Sequence, residues 1–243
     1  MSDPFLSLII PAHNEEARLP GTLQQVLDFL SAQPYQSEVL VVENASHDRT
    51  LQVAQEFAQR YPLLRVLQCP QRGKGFAVRQ GMLAARGEYR IMCDADLAMP
   101  ASEISRFLPA ALSGVDIAIA SREAPGAIRY HEPLYRHLIG RVYNCLTRLW
   151  LLPGLQDTQC GYKCFRGAVV DELFSRQTLG GWSFDVEILF IARRRGLRIV
   201  EVPISWTYIP GSKVSVIKSS LRVVVELLTI RLNGWRGVYE RPL

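Results

Sequence analysis

Short apolar runs alternate with longer amphipathic segments along most of this chain, and that alternation constrains the fold more than any other feature. The apolar runs are too short for helices and nearly continuous, which is typical of strands buried on both faces of a parallel sheet. Strand–helix–strand units of this kind close through right-handed crossovers. The sequence therefore predicts an α/β fold with a mostly parallel central sheet flanked by helices. The predicted strands are residues 5–10, 38–42, 64–67, 88–93, 116–120 and 198–203.

The segments between these strands carry helical patterns, and residues 154–166 are predicted to form a loop. Five helices are predicted over residues 19–30, 76–85, 101–112, 133–152 and 214–232. A further helix is capped by Ser46 and Asp48 and ends near Tyr61, and another follows Gly180–Glu187 and ends at Arg195. Two of them, 133–152 and 214–232, have apolar arcs wider than one face. Such helices lie in a membrane interface, or pack on the sheet or in a homodimer contact. The polar line of the last helix passes through Ser215, Lys218, Arg222, Glu226 and Thr229.

The strand 88–93 is followed by two aspartates, Asp94 and Asp96, that are separated by one residue. In an extended chain such positions point to the same side, so both carboxylates face one volume. Two anions in one small volume repel each other, and a hard divalent cation such as Mg²⁺ or Mn²⁺ relieves the repulsion. An Asp-x-Asp pair also arises by chance, but this one stands at a strand end. The pair therefore predicts a metal site that binds a diphosphate.

Polar side chains follow four of the predicted strands. In an open α/β sheet the carboxyl ends of the strands border the ligand crevice, so we expect these side chains to share one site. The groups are His13, Asn14 and Glu15; Glu43 and Asn44; Asp94 and Asp96; and Ser121 and Arg122.

A glycine-rich stretch, Arg72–Arg79, precedes the third predicted helix. Gly73 and Gly75 allow close backbone approach, and Lys74 offers a charge at a helix N-terminus, which suits a phosphate or sugar phosphate. The spacing is not that of a Walker A loop. A glycine-rich turn with a solvated lysine is the alternative.

The composition narrows the class of protein. The 243 residues are 48% hydrophobic with a net charge of +5, enough for a large core and suited to anionic ligands or an anionic membrane surface. Basic residues are too scattered to predict nucleic-acid binding. The five cysteines lack CxxC spacing and no HExxH motif occurs, so we expect reduced thiols and no zinc site. No signal peptide or long apolar run is found, so a cytoplasmic location is expected.

Seven segments, taken in their order along the chain, resemble the motif series of family 2 inverting glycosyltransferases. The resemblance is strongest to the branch of dolichyl-phosphate glucosyltransferases and mannosyltransferases. The resemblance covers roughly residues 5–210 and implies the GT-A nucleotide-diphospho-sugar transferase fold and transfer to a polyprenyl phosphate with inversion. The segments are LIIPAHNEE, VVENASHDRT, RGKGFAVRQGMLAARGEY, CDADLAMP, IASR, DTQCGYKCF and GWSFDVEILFIARRRG.

The resemblance also implies roles for individual residues. The metal ligands are Asp94 and Asp96, and Glu43 holds the base. The implied donor-binding residues are Pro11, Ala12, Glu15, Glu43, Lys74, Gly75, Asp94, Ala95 and Asp96. The acceptor phosphate is assigned to Arg122, with Arg136 and Arg141 as further candidates. Family members usually carry two aspartates where this chain has Glu43 and Asn44, which leaves uracil and guanine both open as the base.

The candidate catalytic residues are Asp157, Asp185 and Arg122. A hydroxyl acceptor would need a general base, for which Asp157 is the first candidate and Asp185 the second. A phosphate acceptor is already an anion and needs positioning instead, for which the arginine fork is suited. Asp185 also lies just inside a predicted helix start, where a carboxylate stabilises the helix dipole.

The sequence thus predicts a GT-A domain over residues 1–210 and a C-terminal amphipathic helical extension over 211–243. The predicted activity is Mg²⁺- or Mn²⁺-dependent transfer of a hexose, glucose from UDP-glucose being favoured, to a polyprenyl phosphate. We expect contact with the inner face of a membrane. The alternatives are a family 2 enzyme acting on a soluble or glycan hydroxyl, and a nucleotide-sugar-binding protein without turnover.

Overall fold

The computed structural model describes residues 3–209 and 216–241, and within them a seven-stranded sheet has the order β3-β2-β1-β4-β7-β5-β8. The strands are β1 Leu6–Ala12, β2 Ser37–Glu43, β3 Leu64–Gln68, β4 Tyr89–Met92, β5 Ile117–Ser121, β6 Ile128–Tyr130, β7 Lys163–Arg166, β8 Ile199–Pro203 and β9 Ser205–Thr207. The helices are α1 Leu19–Ser31, α2 Thr50–Arg60, α3 Lys74–Ala84, α4 Leu134–Trp150, α5 Gly167–Ser175, α6 Phe184–Arg194 and α7 Val216–Trp235, with 3-10 helices at Ala101–Phe107 and Val238–Glu240.

The central strand β1 pairs in parallel with both β2 and β4. Its last residue, Ala12, lies opposite Glu43, and Ile9 lies opposite Met92, so the carboxyl ends of three strands meet at one edge. The mostly parallel sheet confirms the predicted α/β fold. It also brings the polar segments after β1, β2 and β4 to that edge.

One strand, β7, runs antiparallel between β4 and β5, in a segment that the sequence predicted as part of a loop. Lys163 lies opposite both Met92 and Ile119, so β7 begins where β4 and β5 end. The strand was missed because it is only four residues long and contains Lys163 and Arg166, which are not typical of a buried strand. Its orientation brings the residues before Lys163 to the polar edge of the sheet.

Other predicted bounds were wrong in part. The helix predicted over 101–112 is a short 3-10 helix, Ala101–Phe107. Pro109 lacks an N–H and disfavours the α conformation in the residue before it, which ends helical structure here. Helix α5 and the two-stranded parallel sheet of β6 and β9 were not predicted. Both strands of that sheet are only three residues long, too short for a clear periodic pattern.

The C-terminal segment contributes side chains to the main core. Leu227 and Ile230 of α7 are fully buried, and Tyr239 is nearly so. They lie in the same apolar cluster as residues of α3, α5 and α6. The division at residue 210 stays a prediction. Of the predicted helix 214–232, residues 214 and 215 lie outside the described residues, as do the side chains of Lys218 and Arg222.

Helices α4 and α7 each expose apolar side chains. On α4, the exposed fraction is 86% for Leu134, 65% for Leu138 and 71% for Leu149, and Trp235 of α7 is 71% exposed. The exposed apolar residues, called here the apolar surfaces of the two helices, are Leu134, Tyr135, Leu138, Ile139, Val142, Leu149 and Trp150 of α4, and Val225, Leu228, Leu232 and Trp235 of α7. No helix in the described part of the chain is long and apolar enough to span a bilayer.

Candidate active site

The two aspartates lie on a tight loop that follows β4. Cys93 N–H donates to the Ile9 carbonyl at 2.9 Å, and the Ala98 N–H donates to an Asp96 carboxylate oxygen at 3.2 Å. The buried hydroxyl of Thr22, from α1, donates to the Ala95 carbonyl at 2.6 Å. The loop is therefore fixed from both sides, although the strand itself ends at Met92 and the aspartates are not part of it.

A cavity of about 100 Å³ opens beside this loop at the edge of the sheet. Asp94 and Asp96 stand on one wall, and Arg122 and the residues before β7 form the other walls. The lining residues are Asp94, Asp96, Ala98, Met99, Arg122, Gln159, Cys160, Gly161, Tyr162 and Trp206. The cavity thus combines a carboxylate pair with a guanidinium, which are the groups needed for a metal-bound anion and a second anion.

Gly161 allows the approach of Asp94 to this cavity. A Cβ atom at position 161 would stand 2.0 Å from Asp94 Oδ2 and 2.5 Å from its Cγ, distances that real contacts do not reach. Sequence reasoning did not single out this glycine. The only signal was its place between Cys160 and Tyr162 in a segment predicted as a loop.

Lys74, the first residue of α3, forms an ion pair with Asp94. Its Nζ lies 2.5 Å from Asp94 Oδ1 and 5.5 Å from the centre of the Trp182 ring. Burial opposes the charge of the ammonium, but the adjacent Asp94 outweighs it and raises the pKa of Lys74. Burial also disfavours the charged form of Asp94, which by itself would raise the pKa of this carboxyl group. The positive charges of Lys74, Lys163 and Arg122 outweigh burial and lower that pKa.

Asp96 is in a different electrostatic position. Burial, together with the negative charge of Asp94, raises the pKa of Asp96. Within the described residues, no three His, Cys, Asp or Glu side chains converge as a complete metal site. Two carboxylates on one loop nevertheless fit Mg²⁺ or Mn²⁺, which bind few protein oxygens and complete their shell with water and phosphate.

The glycine-rich loop before α3 is held by Asn44, at the end of β2. The Asn44 amide donates to the carbonyls of Cys69 at 3.1 Å and Gln71 at 2.8 Å, and its oxygen accepts the Gly73 N–H at 2.9 Å. Gly73 has φ +144°, a conformation that other residues rarely adopt. A Cβ at Gly75 would clash with α6, since it would lie 2.7 Å from the Phe184 Cβ. The loop therefore depends on both glycines and on an amide at position 44.

The predicted nucleoside residues lie together at the ends of β1 and β2. Pro11 and Ala12 are paired in register with Val42 and Glu43. The buried Glu43 carboxylate accepts the Ser46 N–H at 2.5 Å.

Glu15 follows β1 in the same region and is paired with Arg18. Two nitrogens of Arg18 each lie 2.7 Å from a Glu15 oxygen, and this hydrogen bond is the main cause of the raised pKa of Arg18. Asp96 and Asp94 also contribute to that shift, so Arg18 adds positive charge beside the carboxylate pair. Sequence reasoning missed Arg18, whose only signal was a charge in the loop after β1.

Arg122 and the fully buried Asp157 form a two-pronged ion pair. Nε of Arg122 lies 2.7 Å from Oδ2 and Nη2 lies 3.0 Å from Oδ1, and the backbone N–H of Arg122 also donates to Oδ2 at 3.0 Å. Burial alone would raise the pKa of Asp157, but the guanidinium holds it well below its usual range. The guanidinium also stands 5.3 Å from the centre of the Trp206 ring. Asp157 thus fixes the orientation of Arg122 at the cavity wall.

Asp185 is paired with another cation, the fully buried Lys163. Lys163 Nζ lies 3.2 Å from Asp185 Oδ2 and donates to the Cys160 carbonyl at 2.7 Å. Burial raises the pKa of Asp185, while Lys163 and Lys74 oppose the rise. Asp185 also lies in the first turn of α6, as the sequence predicted. Its partner Lys163 was missed because β7 was not predicted.

Arg136 and Arg141 do not line the cavity that holds the aspartates. Arg136 lies 5.0 Å from the Tyr208 ring and donates to its hydroxyl at 3.3 Å, and the exposed Arg141 lies 3.6 Å from Glu123. Arg141 borders a separate space of about 240 Å³ along α4. Of the three arginines assigned to the acceptor phosphate, the structure brings only Arg122 to the carboxylate pair.

Comparisons with known proteins place the chain in a family. The model of glycosyl transferase family 2 matches residues 7–174. Dolichyl-phosphate beta-glucosyltransferases are similar over most of the chain: that of Drosophila melanogaster is 36% identical over 97% of this chain and 77% of its own length. An enzyme of this name from Trichomonas vaginalis is 34% identical over 95% of this chain and 75% of its own length. The one from Homo sapiens is 33% identical over 97% of this chain and 77% of its own length.

A similar fold is found in glucosyl-3-phosphoglycerate synthase from Mycobacterium tuberculosis, crystallised with Mn²⁺, UDP-glucose and phosphoglyceric acid. The TM-score is 0.70 at 17% identity, over 94% of this chain and 79% of that one. The family match and the sheet topology agree with the resemblance stated above. The chain therefore belongs to glycosyl transferase family 2, and it is a glycosyltransferase with the GT-A fold.

Proposed function

We propose that this enzyme transfers glucose from UDP-glucose to a polyprenyl phosphate with inversion, with Mg²⁺ or Mn²⁺ held by Asp94 and Asp96. The observation that carries the proposal is the cavity that has this carboxylate pair on one wall and Arg122 on another. The names of the relatives support the sugar and the lipid phosphate, and the complex of the mycobacterial enzyme supports Mn²⁺ and UDP-glucose.

The donor side is formed by the ends of β1, β2 and β4 together with the loop before α3. Asn44 holds that loop, and Lys74 offers a cation within reach of a diphosphate bound at Asp94. A divalent ion, when bound, supplies charge neutralisation for the leaving diphosphate. Glu43, buried beside Ala12, is assigned to the base.

The state of the two candidate bases favours a phosphate acceptor. Asp157 is held by Arg122, and Asp185 is held by Lys163, so each buried carboxylate already has a cation as its partner. A hydroxyl acceptor needs a free base near neutral pH, whereas a phosphate needs only to be oriented. We therefore assign Asp157 to the positioning of Arg122 and Asp185 to a pair with Lys163. Arg122 orients the acceptor oxygen for attack on the anomeric carbon.

A lipid acceptor requires the enzyme to reach a membrane surface, and the apolar surfaces of α4 and α7 are suited to that contact. Leu134 and Leu149 are exposed on α4, which also carries Arg136, Arg141 and Arg148. Apolar side chains flanked by basic ones favour an interface with anionic lipids. The proposed location is the cytoplasmic side, in peripheral contact with the bilayer.

The test uses the purified protein with UDP-glucose labelled in the sugar, Mn²⁺ and a short-chain polyprenyl phosphate. Labelled glucosyl lipid and free UDP should appear, EDTA should abolish both, and GDP-mannose should react more slowly than UDP-glucose. Transfer to glycan hydroxyls but not to the lipid phosphate would overturn the acceptor assignment. Absence of UDP release with every acceptor would favour a binding protein without turnover.

A further inference from the structure

Lys74 occupies an oxygen of Asp94 that a metal ion would also use. The Nζ–Oδ1 distance of 2.5 Å is that of a strong, charge-assisted hydrogen bond. The side chain of Lys74 is 19% exposed and that of Asp94 is 33% exposed, so the pair is only partly screened by water. An ammonium at this position repels a divalent cation and blocks one direction of approach to the carboxylate.

The surroundings of Lys74 provide a second place for its charge. It is the first residue of α3, where the positive end of the helix dipole favours an anion beside the ammonium. The Trp182 ring, 5.5 Å from Nζ, is within cation–π distance on the other side. The main chain beneath it is held in place, since Gly75 N–H donates to the Gly180 carbonyl at 3.0 Å. Because the main chain is held, a change of pairing from Asp94 to a diphosphate requires only the Lys74 side chain to move.

We infer that Lys74 competes with the metal ion for Asp94 until the donor diphosphate binds, so that metal and nucleotide bind cooperatively. This inference rests on the proposed metal-dependent function. With no donor, the ion must displace the ammonium from Asp94. With the donor present, the ammonium pairs with the diphosphate and the carboxylate becomes available to the ion. Linkage requires the effect to be reciprocal, so Mn²⁺ must tighten the binding of UDP by the same factor.

The experiment measures Mn²⁺ binding by electron paramagnetic resonance of the free ion, with and without UDP. In the wild-type protein, UDP should tighten Mn²⁺ binding at least about tenfold, the equivalent of one charge-assisted hydrogen bond. The variant Lys74→Met keeps the length of the side chain and removes its charge. It should bind Mn²⁺ alone about tenfold more tightly than the wild type, and UDP should then tighten Mn²⁺ binding less than it does in the wild type, because only the direct contact of the diphosphate with the ion remains.

The matched control is Arg79→Met, which removes a positive charge from the same helix. Arg79 donates to the Ser175 carbonyl at 3.3 Å, so its loss should leave Mn²⁺ binding at the wild-type value. Lys74→Arg retains the charge and should also bind Mn²⁺ alone weakly. Equal Mn²⁺ affinity of the wild type with and without UDP would overturn the inference without any variant, and so would wild-type affinity for Mn²⁺ alone in Lys74→Met. Lack of Mn²⁺ binding even with UDP would overturn the proposed metal site as well.

Discussion

Arg122 and Asp157 are joined through three hydrogen bonds, two from the guanidinium and one from the backbone N–H of the arginine. Asp157 is fully buried, and its backbone N–H donates to the Glu201 carboxylate at 2.9 Å. A guanidinium held in this way has little freedom to rotate, so its remaining N–H groups point in fixed directions at the cavity. One ion pair thus links the stability of the sheet edge to the geometry of the proposed acceptor site.

Replacing Arg122 with lysine should weaken acceptor binding more than donor binding. Lysine keeps the charge but cannot bind Asp157 and a phosphate with one planar fork. We expect KM for the polyprenyl phosphate to rise about tenfold or more, which corresponds to about 1.4 kcal/mol. Steady-state kinetics with each substrate varied in turn measures the difference. Arg106→Lys, at an exposed pair with Glu103, serves as the control. Equal losses for both substrates would contradict the acceptor role.

Asp157 should make the protein sensitive to acid. Its pKa is lower in the folded chain than in the unfolded chain, so its contribution to stability is present above the unfolded pKa of about 3.9 and is lost as the pH falls towards the folded pKa. The free energy of unfolding should therefore fall between about pH 5 and pH 3. Asp157→Asn should be less stable at pH 7, by about 3 kcal/mol, and should show a shallower decrease in that range. Urea denaturation at a series of pH values measures both, and parallel curves for the two proteins would refute the expectation.

Gly161→Ala should impair donor binding through Asp94. The new methyl group would overlap the Asp94 carboxylate, which must turn away or shift. We expect the affinity for UDP in the presence of Mn²⁺ to fall about tenfold or more, measured by calorimetry. The control is Gly21→Ala in α1, where a Cβ meets nothing within 4 Å. That variant should bind UDP normally and gain up to about 1 kcal/mol of stability. Normal UDP binding by Gly161→Ala would show that Asp94 does not need this approach.

Asn44→Asp should destabilise the loop before α3, even though aspartate is the residue that the family resemblance leads one to expect near this position. A carboxylate cannot donate to the Cys69 and Gln71 carbonyls. Since the loss of a buried hydrogen bond costs about 1–3 kcal/mol, we expect the free energy of unfolding to fall by about 2 kcal/mol. Chemical denaturation checks this, together with KM for UDP-glucose, which should rise. A change in stability below about 0.5 kcal/mol would mean that position 44 has little structural role.

Leu138→Glu should reduce binding to membranes. Leu138 is 65% exposed on α4, so glutamate there places a charge on the apolar surface without disturbing the core. The fraction of protein that sediments with phosphatidylserine vesicles at low salt should fall at least about threefold. The glutamate removes the apolar contact that Leu138 makes with the bilayer, and its negative charge is repelled by the anionic lipid. Gln55→Glu, on the exposed face of α2, adds the same charge elsewhere. If Leu138→Glu dissociates a dimer and leaves vesicle binding intact, the surface is a contact between copies of the chain.

The parallel half of the sheet could be predicted because its strands are short, nearly continuous apolar runs that alternate with helical segments. Ile9 and Val41, for example, lie in apolar runs that are typical of buried strands, and both residues are fully buried. The segment around β7 could not be predicted in this way. Its charged residue Lys163 can be buried because Asp185, which is distant in sequence, neutralises the charge and the Cys160 carbonyl accepts a hydrogen bond from it. Local composition does not carry that information.

The same limit applies to the site. Asp94 and Asp96 could be identified from their spacing, since two carboxylates two residues apart have an obvious chemical use. Gly161 could not be identified in this way. It is important because a methyl group at this position would lie only 2.0 Å from Asp94 Oδ2, and the sequence does not show that the two residues are in contact. Arg136 and Arg141 were assigned by resemblance and by charge, and their distance from the cavity depends on how α4 packs. Contacts between segments far apart in sequence decide each of these cases.

The antiparallel direction of β7 divides the sheet into two regions. On one side, β1, β2, β3 and β4 carry the residues assigned to the nucleotide; on the other, β5 and β8 lead to Arg122 and the short sheet of β6 and β9. The two groups of strands are joined in the sheet by this four-residue segment. A lineage could therefore exchange what receives the sugar by altering β5, β6 and their loops, while the half that recognises the activated sugar stays as it is.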